Sequence, residues 1–319
     1  MQDTIQIINK VLPVILLILL GYWLRRSHFL REGTMDDLRK LVVGVALPSV
    51  LFLTFLQLEL KISYLVIFCM VFLVCLGMFG LGFWLQKQFR IPQAYFPFMM
   101  TGFEYGMLGV SLFGGAYGMQ KLGFIAVMAL GHELFIWFVF LAFLLTRRDG
   151  IRETRLLLGT FFKSPVIIAI LAGLVLNLLG VKTLLPDIFL AGALLSVFQF
   201  LANLVVPLIL LIVGYSIQFD LKGLRAALSF PLLRLGILIP LALLMNTFVL
   251  RGWLHMEPTF EAALFTLFVL PPPFIIPMYM PAGMSEEKHY VNNVLALYTL
   301  FSITIFILYF LTRQLGGSL

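Results

Sequence analysis

Two long apolar segments of this chain are each interrupted in the middle, which constrains the fold more than any other feature. Residues 94–118 (AYFPFMMTGFEYGMLGVSLFGGAYG) carry Glu104 among several glycines, and residues 260–283 (FEAALFTLFVLPPPFIIPMYMPAG) contain three consecutive prolines. Proline lacks a backbone N–H, and its ring disfavours helical geometry in the residue before it. A continuous helix is not expected through the prolines, which predicts a break near residues 270–277, and the glycines around Glu104 predict a second break near residues 102–106.

Such breaks have a specific meaning in a chain as apolar as this one. The sequence is 61% hydrophobic and 12% charged, with a mean hydropathy of +1.06. In lipid, non-helical backbone is tolerated only where it is buried in protein or lines a cavity. Broken helices at corresponding places in two halves of a chain point to the binding site of a transporter. We therefore expect a transporter whose site lies at the two breaks.

Ten segments are apolar over about the 20 residues that a helix needs to cross the hydrocarbon core. We number them spans 1 to 10: residues 7–24, 38–57, 62–85, 94–118, 121–145, 164–180, 188–217, 228–250, 260–283 and 289–312. The first has no basic cluster before it and no small-residue cleavage site after it, so it is expected to be retained rather than removed as a signal peptide. The predicted fold class is an all-α polytopic membrane protein in a lipid bilayer.

The net charge of +7 invites a nucleic-acid interpretation, but the basic residues are distributed as topology signals. If the N-terminus lies outside, the loops after spans 1, 3, 5, 7 and 9 contain most of the 22 Lys and Arg residues. This set includes Arg234, which could also lie inside span 8. The positive-inside rule then makes these loops cytoplasmic and both termini external. We expect no nucleic-acid partner, and a location in the cell membrane (plasma or bacterial inner membrane).

The two halves of the chain repeat each other weakly. Short matches follow in the same order: 11–15 with 163–167, 45–48 with 204–207, 58–61 with 219–222, 117–119 with 282–284, and 143–147 with 310–313. Each half holds five spans, an odd number, so the second half must enter the membrane from the opposite side. The sequence predicts ten transmembrane helices as a 5+5 inverted repeat, residues 1–148 and 149–319, in which spans 4 and 9 correspond as the broken elements.

Several stretches resemble the auxin efflux carrier (AEC) family of transporters. They are residues 21–26 (GYWLRR), 41–52 (LVVGVALPSVLF), 165–173 (PVIIAILAG), 206–208 (VPL) and 212–214 (IVG). The resemblance covers nearly the whole chain, and the short loop at 146–163 is similar to that of bacterial members. It implies the fold of the bile-acid/sodium symporter relatives, with spans 1, 2, 6 and 7 as a scaffold and spans 3–5 and 8–10 as a transport domain in which spans 4 and 9 cross. A homodimer through the scaffold spans is a further expectation.

Glu104 is the departure from the family pattern. Members of the family commonly place an asparagine at this position of the crossover, where it helps to hold the carboxylate of the substrate. An ionised Glu104 would repel an organic anion, but an apolar setting disfavours the charged form, so Glu104 could exchange a proton. An intramembrane carboxyl group is by default a functional candidate. The alternative is a structural glutamate that is bonded to unwound backbone N–H groups or paired with a cation.

The predicted substrate-binding residues all lie at the breaks: Gly102, Phe103, Glu104, Tyr105, Pro272, Pro273, Phe274 and Pro277. The half-helix N-termini there are expected to offer free N–H groups and a positive dipole end to an anionic group. The predicted proton-coupling residues are Glu104, His132 and Glu133. Adjacent helical residues point about 100° apart, so His132 and Glu133 are not expected to form a pair on one face; a purely structural role for both stays open.

The predicted function is a secondary active transporter that moves a small organic solute by alternating access, with proton coupling through Glu104. A carboxylate is the first expectation for the solute. A cationic or amine solute, or sodium coupling, is the alternative if Glu104 stays ionised. A membrane-embedded enzyme that uses Glu104, His132 and Glu133 is a further alternative, and a receptor or channel is another. No HExxH, nucleophile-elbow or phosphate-loop motif occurs, so we expect no enzyme, metal or cofactor.

The topology can be tested by the accessibility of single introduced cysteines in intact cells. Both termini are expected outside and residues 146–163 in the cytoplasm, because the basic loops lie on the inner side. A membrane-impermeant thiol reagent should therefore label a cysteine at Gly317 and leave one at Gly150 unlabelled until the cells are permeabilised. Labelling at position 150 but not at 317 would show that the topology is the reverse of the predicted one.

Overall fold

The computed structural model describes residues 2–149, 163–181, 190–216, 224–281 and 283–315. These residues are helical or lie in short turns between helices, and no strand occurs among them. The all-α class is therefore confirmed for the part of the chain that is described.

Fourteen α-helices follow one another in these ranges. They are α1 (Gln2–Arg26), α2 (Glu32–Leu41), α3 (Leu47–Gln57), α4 (Ser63–Gln88), α5 (Phe96–Met100), α6 (Val110–Tyr117), α7 (Leu122–Leu134), α8 (Leu141–Asp149), α9 (Pro165–Leu178), α10 (Ala191–Asn203), α11 (Val205–Ser216), α12 (Leu224–Met245), α13 (Pro258–Val269) and α14 (Ser285–Leu315). Wider π-helical turns lie at Val42–Ala46, Tyr105–Gly109, Phe135–Phe140 and Asn246–Trp253, and 3₁₀ turns at Met119–Lys121 and Ile276–Tyr279.

Six continuous helical stretches among the described residues are long and apolar enough to cross a membrane. They are Glu32–Gln57, Ser63–Gln88, Met119–Arg147, Ala191–Ser216, Arg225–Trp253 and Ser285–Gln314. Two more apolar helices, α9 and α13, are shorter. The predicted count of ten spans stays a prediction, because the structure gives six at full length.

The surfaces of these helices are apolar where a soluble protein would be polar. On α4, Leu65 and Leu73 are each about 60% exposed. A helix that is hydrophobic all round is either buried in a large core or placed in a membrane. Because these leucines are exposed on the protein, the membrane is the setting that removes them from water.

One compact unit takes in the described residues of Met1–Lys61, Gly106–Ala126 and Gly159–Ile217. Within it, α1 packs along α11 and α3 packs along α9. Both pairs are close at a glycine: a Cβ atom on Gly214 would overlap the carbonyl group of Ile18, and one on Gly173 would lie 2.7 Å from the carbonyl oxygen of Phe52. Small residues that let two backbones approach are typical of helix packing in membranes.

The other compact unit takes in the described residues of Ile62–Tyr105, Val127–Leu158 and Gln218–Leu319. Within it, α4 packs on α5, and α12, α13 and α14 pack on one another. A buried carboxylate, Glu261 in the first turn of α13, accepts hydrogen bonds from Arg251 Nε at 2.9 Å and from Arg313 Nη2 at 2.5 Å. This ion cluster ties the beginning of α13 to α14 and to the π-helical turn after α12.

The predicted repeat relates span 1 (α1) to span 6 (α9) and span 2 (α3) to span 7 (α11). The repeat operation would therefore place the pair α1–α11 of the first unit onto the pair α9–α3, and the reverse. The repeat stays a prediction, as does the assignment of a scaffold and a transport domain. The repeat segment 219–222, residue 282, most of the loop 146–163 and the labelling positions 150 and 317 lie outside the described residues.

Replacing Gly214 by alanine tests the close helix pair α1–α11. The new methyl group would meet the backbone of Ile18, which cannot rotate away. Overpacking of this kind costs about 1–3 kcal/mol, so the melting temperature of the purified protein in detergent should fall by several degrees, at about 2–4 °C per kcal/mol. Gly80→Ala in α4 is the matched control because a Cβ atom there meets nothing within 4 Å. Equal melting temperatures for the two variants would contradict the packing.

Candidate functional site

Both predicted helix breaks are present in the structure. α5 ends at Met100, residues 101–104 are not helical, and a π-helical turn begins at Tyr105. α13 ends at Val269, residues 270–275 are irregular, and only the short 3₁₀ turn Ile276–Tyr279 follows. The first break begins one residue before the predicted 102–106, and the second lies within 270–277. No α-helix follows the break within the described residues 270–281. The three prolines account for the end of α13, because they lack N–H donors and the first of them disfavours helical geometry in Leu270.

The two breaks are bonded directly to each other through Glu104. The backbone N–H of Glu104 donates to the carbonyl oxygen of Pro271 at 2.8 Å. Its side-chain oxygen Oε2 accepts a hydrogen bond from the backbone N–H of Phe274 at 2.7 Å. Glu104 therefore binds the proline segment at both ends, at Pro271 through its backbone and at Phe274 through its carboxyl group. The second of these contacts is the structural role that the sequence left open for Glu104.

Gly102 makes the close approach of the two breaks sterically possible. Its φ angle is +69°, a conformation that L-residues with a side chain rarely adopt. A Cβ atom there would also lie 2.7 Å from Cγ of Pro273 and 2.9 Å from Cδ1 of Ile136. The glycine is therefore needed for the unwound backbone itself, rather than for packing of a continuous helix.

His132 reaches the first break, whereas Glu133 reaches His132. The buried His132 Nε2 accepts the backbone N–H of Phe103 at 2.9 Å. Because Nε2 accepts, a neutral ring carries its proton on Nδ1, and this atom lies 3.4 Å from Glu133 Oε1. Glu133 Oε2 also accepts the indole N–H of Trp137 at 3.2 Å. The two side chains approach each other more closely than their 100° separation on the helix suggests, but His132 Nδ1 has no hydrogen-bond partner among the described residues.

The expectation of free N–H groups at the breaks was wrong. Phe103 donates to His132, Glu104 donates to Pro271, and Phe274 donates to Glu104. Buried backbone groups need partners, and in this arrangement the protein supplies them itself. An anion that binds these N–H groups must therefore displace a protein acceptor.

Arg234 is the site residue that the sequence analysis missed. It lies in α12 and is completely buried. Its Nε donates to the carbonyl oxygen of Met100 at 3.1 Å, its Nη1 to that of Leu270 at 3.1 Å, and its Nη2 to that of Gly102. One guanidinium group thus joins the carboxyl ends of α5 and α13. The signal was an arginine inside an apolar run (SFPLLRLGILIP), which should count as a functional candidate rather than as a loop charge.

The charge of Arg234 is balanced by dipoles and aromatic rings. Its guanidinium carbon lies 5.0 Å from the ring centre of Tyr298 and 5.3 Å from that of Phe103. No carboxylate lies within ion-pair distance of Arg234 in the part of the chain that the structure describes. Helix carboxyl ends carry a partial negative charge that favours a cation. The unit nevertheless keeps a full buried positive charge beside the two breaks.

The remaining predicted residues line the same region or lie at its edge. Phe103 stacks on Phe268 with ring centres 5.4 Å apart, which fixes the side chain in the core of the unit. Tyr105 is buried, and its hydroxyl group has no hydrogen-bond partner among the described residues. Pro272 is buried next to Pro273, and Pro277 lies farther on, in the 3₁₀ turn. No cluster of metal-ligating side chains occurs among the described residues.

Comparison with known proteins gives one informative relative. The chain is 27% identical over 250 residues to a protein of Methanothermobacter thermautotrophicus named as an uncharacterized transporter, a match that covers 73% of this chain and 79% of that protein. This chain resembles a transporter. No family model matches it. At this identity the likeness does not single out the auxin efflux carriers, so that assignment belongs to the proposal below.

The role of Gly102 can be separated from backbone preference by a matched glycine. Gly180 has nearly the same φ, +68°, but a Cβ atom there meets nothing within 4 Å. Gly180→Ala should lower the free energy of unfolding by about 1–2 kcal/mol, because alanine must adopt a left-handed backbone conformation there. Gly102→Ala should cost about 1–3 kcal/mol more because its methyl group meets Pro273. Thermal melting of both purified variants measures the difference, and a Gly102 variant no less stable than the Gly180 variant would contradict the geometry.

Proposed function

We propose that this protein is a secondary active transporter that moves a small organic anion, a carboxylate, across the cell membrane by alternating access in symport with protons. Two observations support a transporter: the pair of bonded helix breaks in an apolar helical chain, and the likeness to a protein named as a transporter. Membership of the auxin efflux carrier family, the inverted repeat and a homodimer through the scaffold spans are parts of the same proposal. It includes no catalytic role.

Arg234 is the observation that carries the choice of an anion. Among the described residues the buried Arg234 binds three carbonyl groups and two rings rather than a carboxylate, and in a low-dielectric interior its positive charge attracts an anion strongly. The buried hydroxyl group of Tyr105 adds a hydrogen-bond donor in the same unit. A cationic solute or a sodium ion would instead meet repulsion from Arg234.

Glu104 couples the anion to a proton by competition. In the present arrangement its carboxyl group takes the N–H of Phe274, a donor that suits the carboxylate of a substrate. An ionised Glu104 both occupies this donor and repels an incoming anion. Protonation removes the charge and weakens the hold on the N–H, so proton binding and anion binding favour each other. Linked binding of this kind, combined with alternating access, gives symport.

His132 and Glu133 provide a second titratable pair at the same backbone. A proton on Nε2 of His132 would remove the acceptor of the Phe103 N–H and so loosen the first break. Glu133 Oε1 lies 3.4 Å from the other ring nitrogen, Nδ1. In our proposal this pair passes or senses the coupled proton, while Glu104 faces the substrate.

The substitution Glu104→Gln tests the coupling. Glutamine keeps an oxygen acceptor for the N–H of Phe274 but cannot carry a charge or exchange a proton. A thermal-shift screen of organic acids and amines across pH first identifies a ligand of the wild-type protein. The variant should keep binding of that acid and lose the pH dependence of binding. In liposomes that contain a pH-sensitive dye, the proton uptake that follows addition of this organic acid should fall to the level of protein-free vesicles.

Glu59→Gln is the matched control. Glu59 is exposed, and its ion pair with Lys61 is long, at 4.0 Å, and therefore weak. Its replacement should leave ligand binding and proton uptake unchanged. If Glu104→Gln abolishes binding outright, and the wild-type protein accumulates a cationic solute, the carboxylate proposal fails. Proton uptake by Glu104→Gln at the wild-type rate would remove Glu104 from the coupling.

A further inference from the structure

Three backbone carbonyl groups converge at the carboxyl ends of the two half-helices. They belong to Met100 at the end of α5, Gly102 in the first break, and Leu270 just after α13. Unwound carbonyl groups and half-helix carboxyl ends are the ligands with which transporters of this kind coordinate a sodium ion. A convergence of such oxygens without a cation would be unfavourable, because their partial negative charges repel one another.

Arg234 gives one N–H group to each of these three oxygens. Nε serves Met100, Nη1 serves Leu270, and Nη2 serves Gly102. The guanidinium group is planar with its donors at fixed angles, so a single rigid group matches all three carbonyls at once. The rings of Tyr298 and Phe103, at 5.0 and 5.3 Å, hold its faces. A sodium ion at the same oxygens would lie in contact with the like charge of a fully buried side chain.

We infer that Arg234 is the resident cation of the crossover: it occupies the carbonyl cluster that would otherwise bind sodium, and thereby makes the protein independent of sodium. The inference rests on the proposed function for its meaning in transport, where it leaves the proton as the coupling ion. The occupation of the carbonyl cluster by Arg234 holds whatever the solute is. It therefore has a test that needs neither transport nor a known substrate.

The alternative is that Arg234 is one more packed side chain whose loss simply leaves a cavity. The two explanations differ in what restores the variant. If the carbonyl cluster is a cation site, a free cation of suitable shape should replace the missing guanidinium group. A cavity left by an ordinary side chain would be indifferent to the charge of an added small molecule.

The first measurement is the melting temperature of the wild-type protein in detergent, with sodium chloride against choline chloride at equal ionic strength. We expect no sodium-specific shift, because Arg234 holds the three oxygens. Arg234→Ala should melt several degrees lower. Ethylguanidinium at millimolar concentration should raise its melting temperature by about 2–4 °C or more, whereas ethylurea, which is similar in shape but uncharged, should not. Sodium should stabilise this variant more than choline does.

Arg225→Ala is the matched control on the same helix. Arg225 is exposed near the beginning of α12, so its variant should respond neither to ethylguanidinium nor to sodium. Arg234→Lys is the second test variant, because lysine keeps the charge and donates N–H groups. It should remain insensitive to sodium, and it can be examined if the alanine variant does not survive purification without ethylguanidinium.

Two results would overturn the inference. One is a sodium-specific stabilisation of the wild-type protein, which would show that sodium binds while Arg234 is in place. The other is an Arg234→Ala variant that ethylguanidinium and ethylurea affect equally. Because both readouts are melting temperatures, they stand apart from the proposed function. The inference about Arg234 can hold for a protein that transports nothing, and it can be wrong for a protein that is a proton-coupled transporter.

Discussion

Unpaired peptide groups at the two breaks are the constraint on which the rest of the second unit depends. A helix that stops inside an apolar protein leaves carbonyl groups at one side of the break and N–H groups at the other. Side chains of opposite polarity bind these groups, a cation at the carbonyl groups and a carboxyl group at the N–H. Arg234 binds the carbonyl groups of Met100, Gly102 and Leu270, and Glu104 binds the N–H of Phe274. Interrupted helices and buried charges are thus one feature rather than two.

This arrangement also makes the breaks responsive, because the hydrogen bonds that complete them come from titratable groups. A helix interior bonded backbone to backbone changes little with pH. Here the N–H of Phe274 depends on Glu104, and the N–H of Phe103 depends on His132. A proton gained or lost at either side chain changes what the backbone is bonded to. In the proposed transporter, the irregular segments are the part of the unit in which protonation is converted into movement.

The positions of the breaks could be predicted from the sequence, but their partners could not. Three consecutive prolines act through local sterics, and Gly102 beside Glu104 gave the other break to within one residue. Arg234 was missed because composition alone counts it as a loop charge, whereas its three carbonyl partners are up to 134 residues away in the chain. The fold-back of Glu133 onto His132 depends on a rotamer, which helix geometry does not specify.

In the proposed transporter, the opposite charges of Arg234 and an ionised Glu104 determine how an anion enters without a second ion. With both groups charged, the breaks are close to neutral and each has its backbone partners. An anion that approaches gains attraction from Arg234 and meets repulsion from Glu104, so the two terms oppose each other. Only Glu104 can lose its charge, since a guanidinium group does not release its proton in proteins. In the proposed mechanism the proton therefore goes to the carboxyl group, and the fixed cation then holds the anion. This asymmetry, one permanent charge and one titratable charge on the same pair of breaks, is the physical basis of the proposed coupling of an anion to a proton.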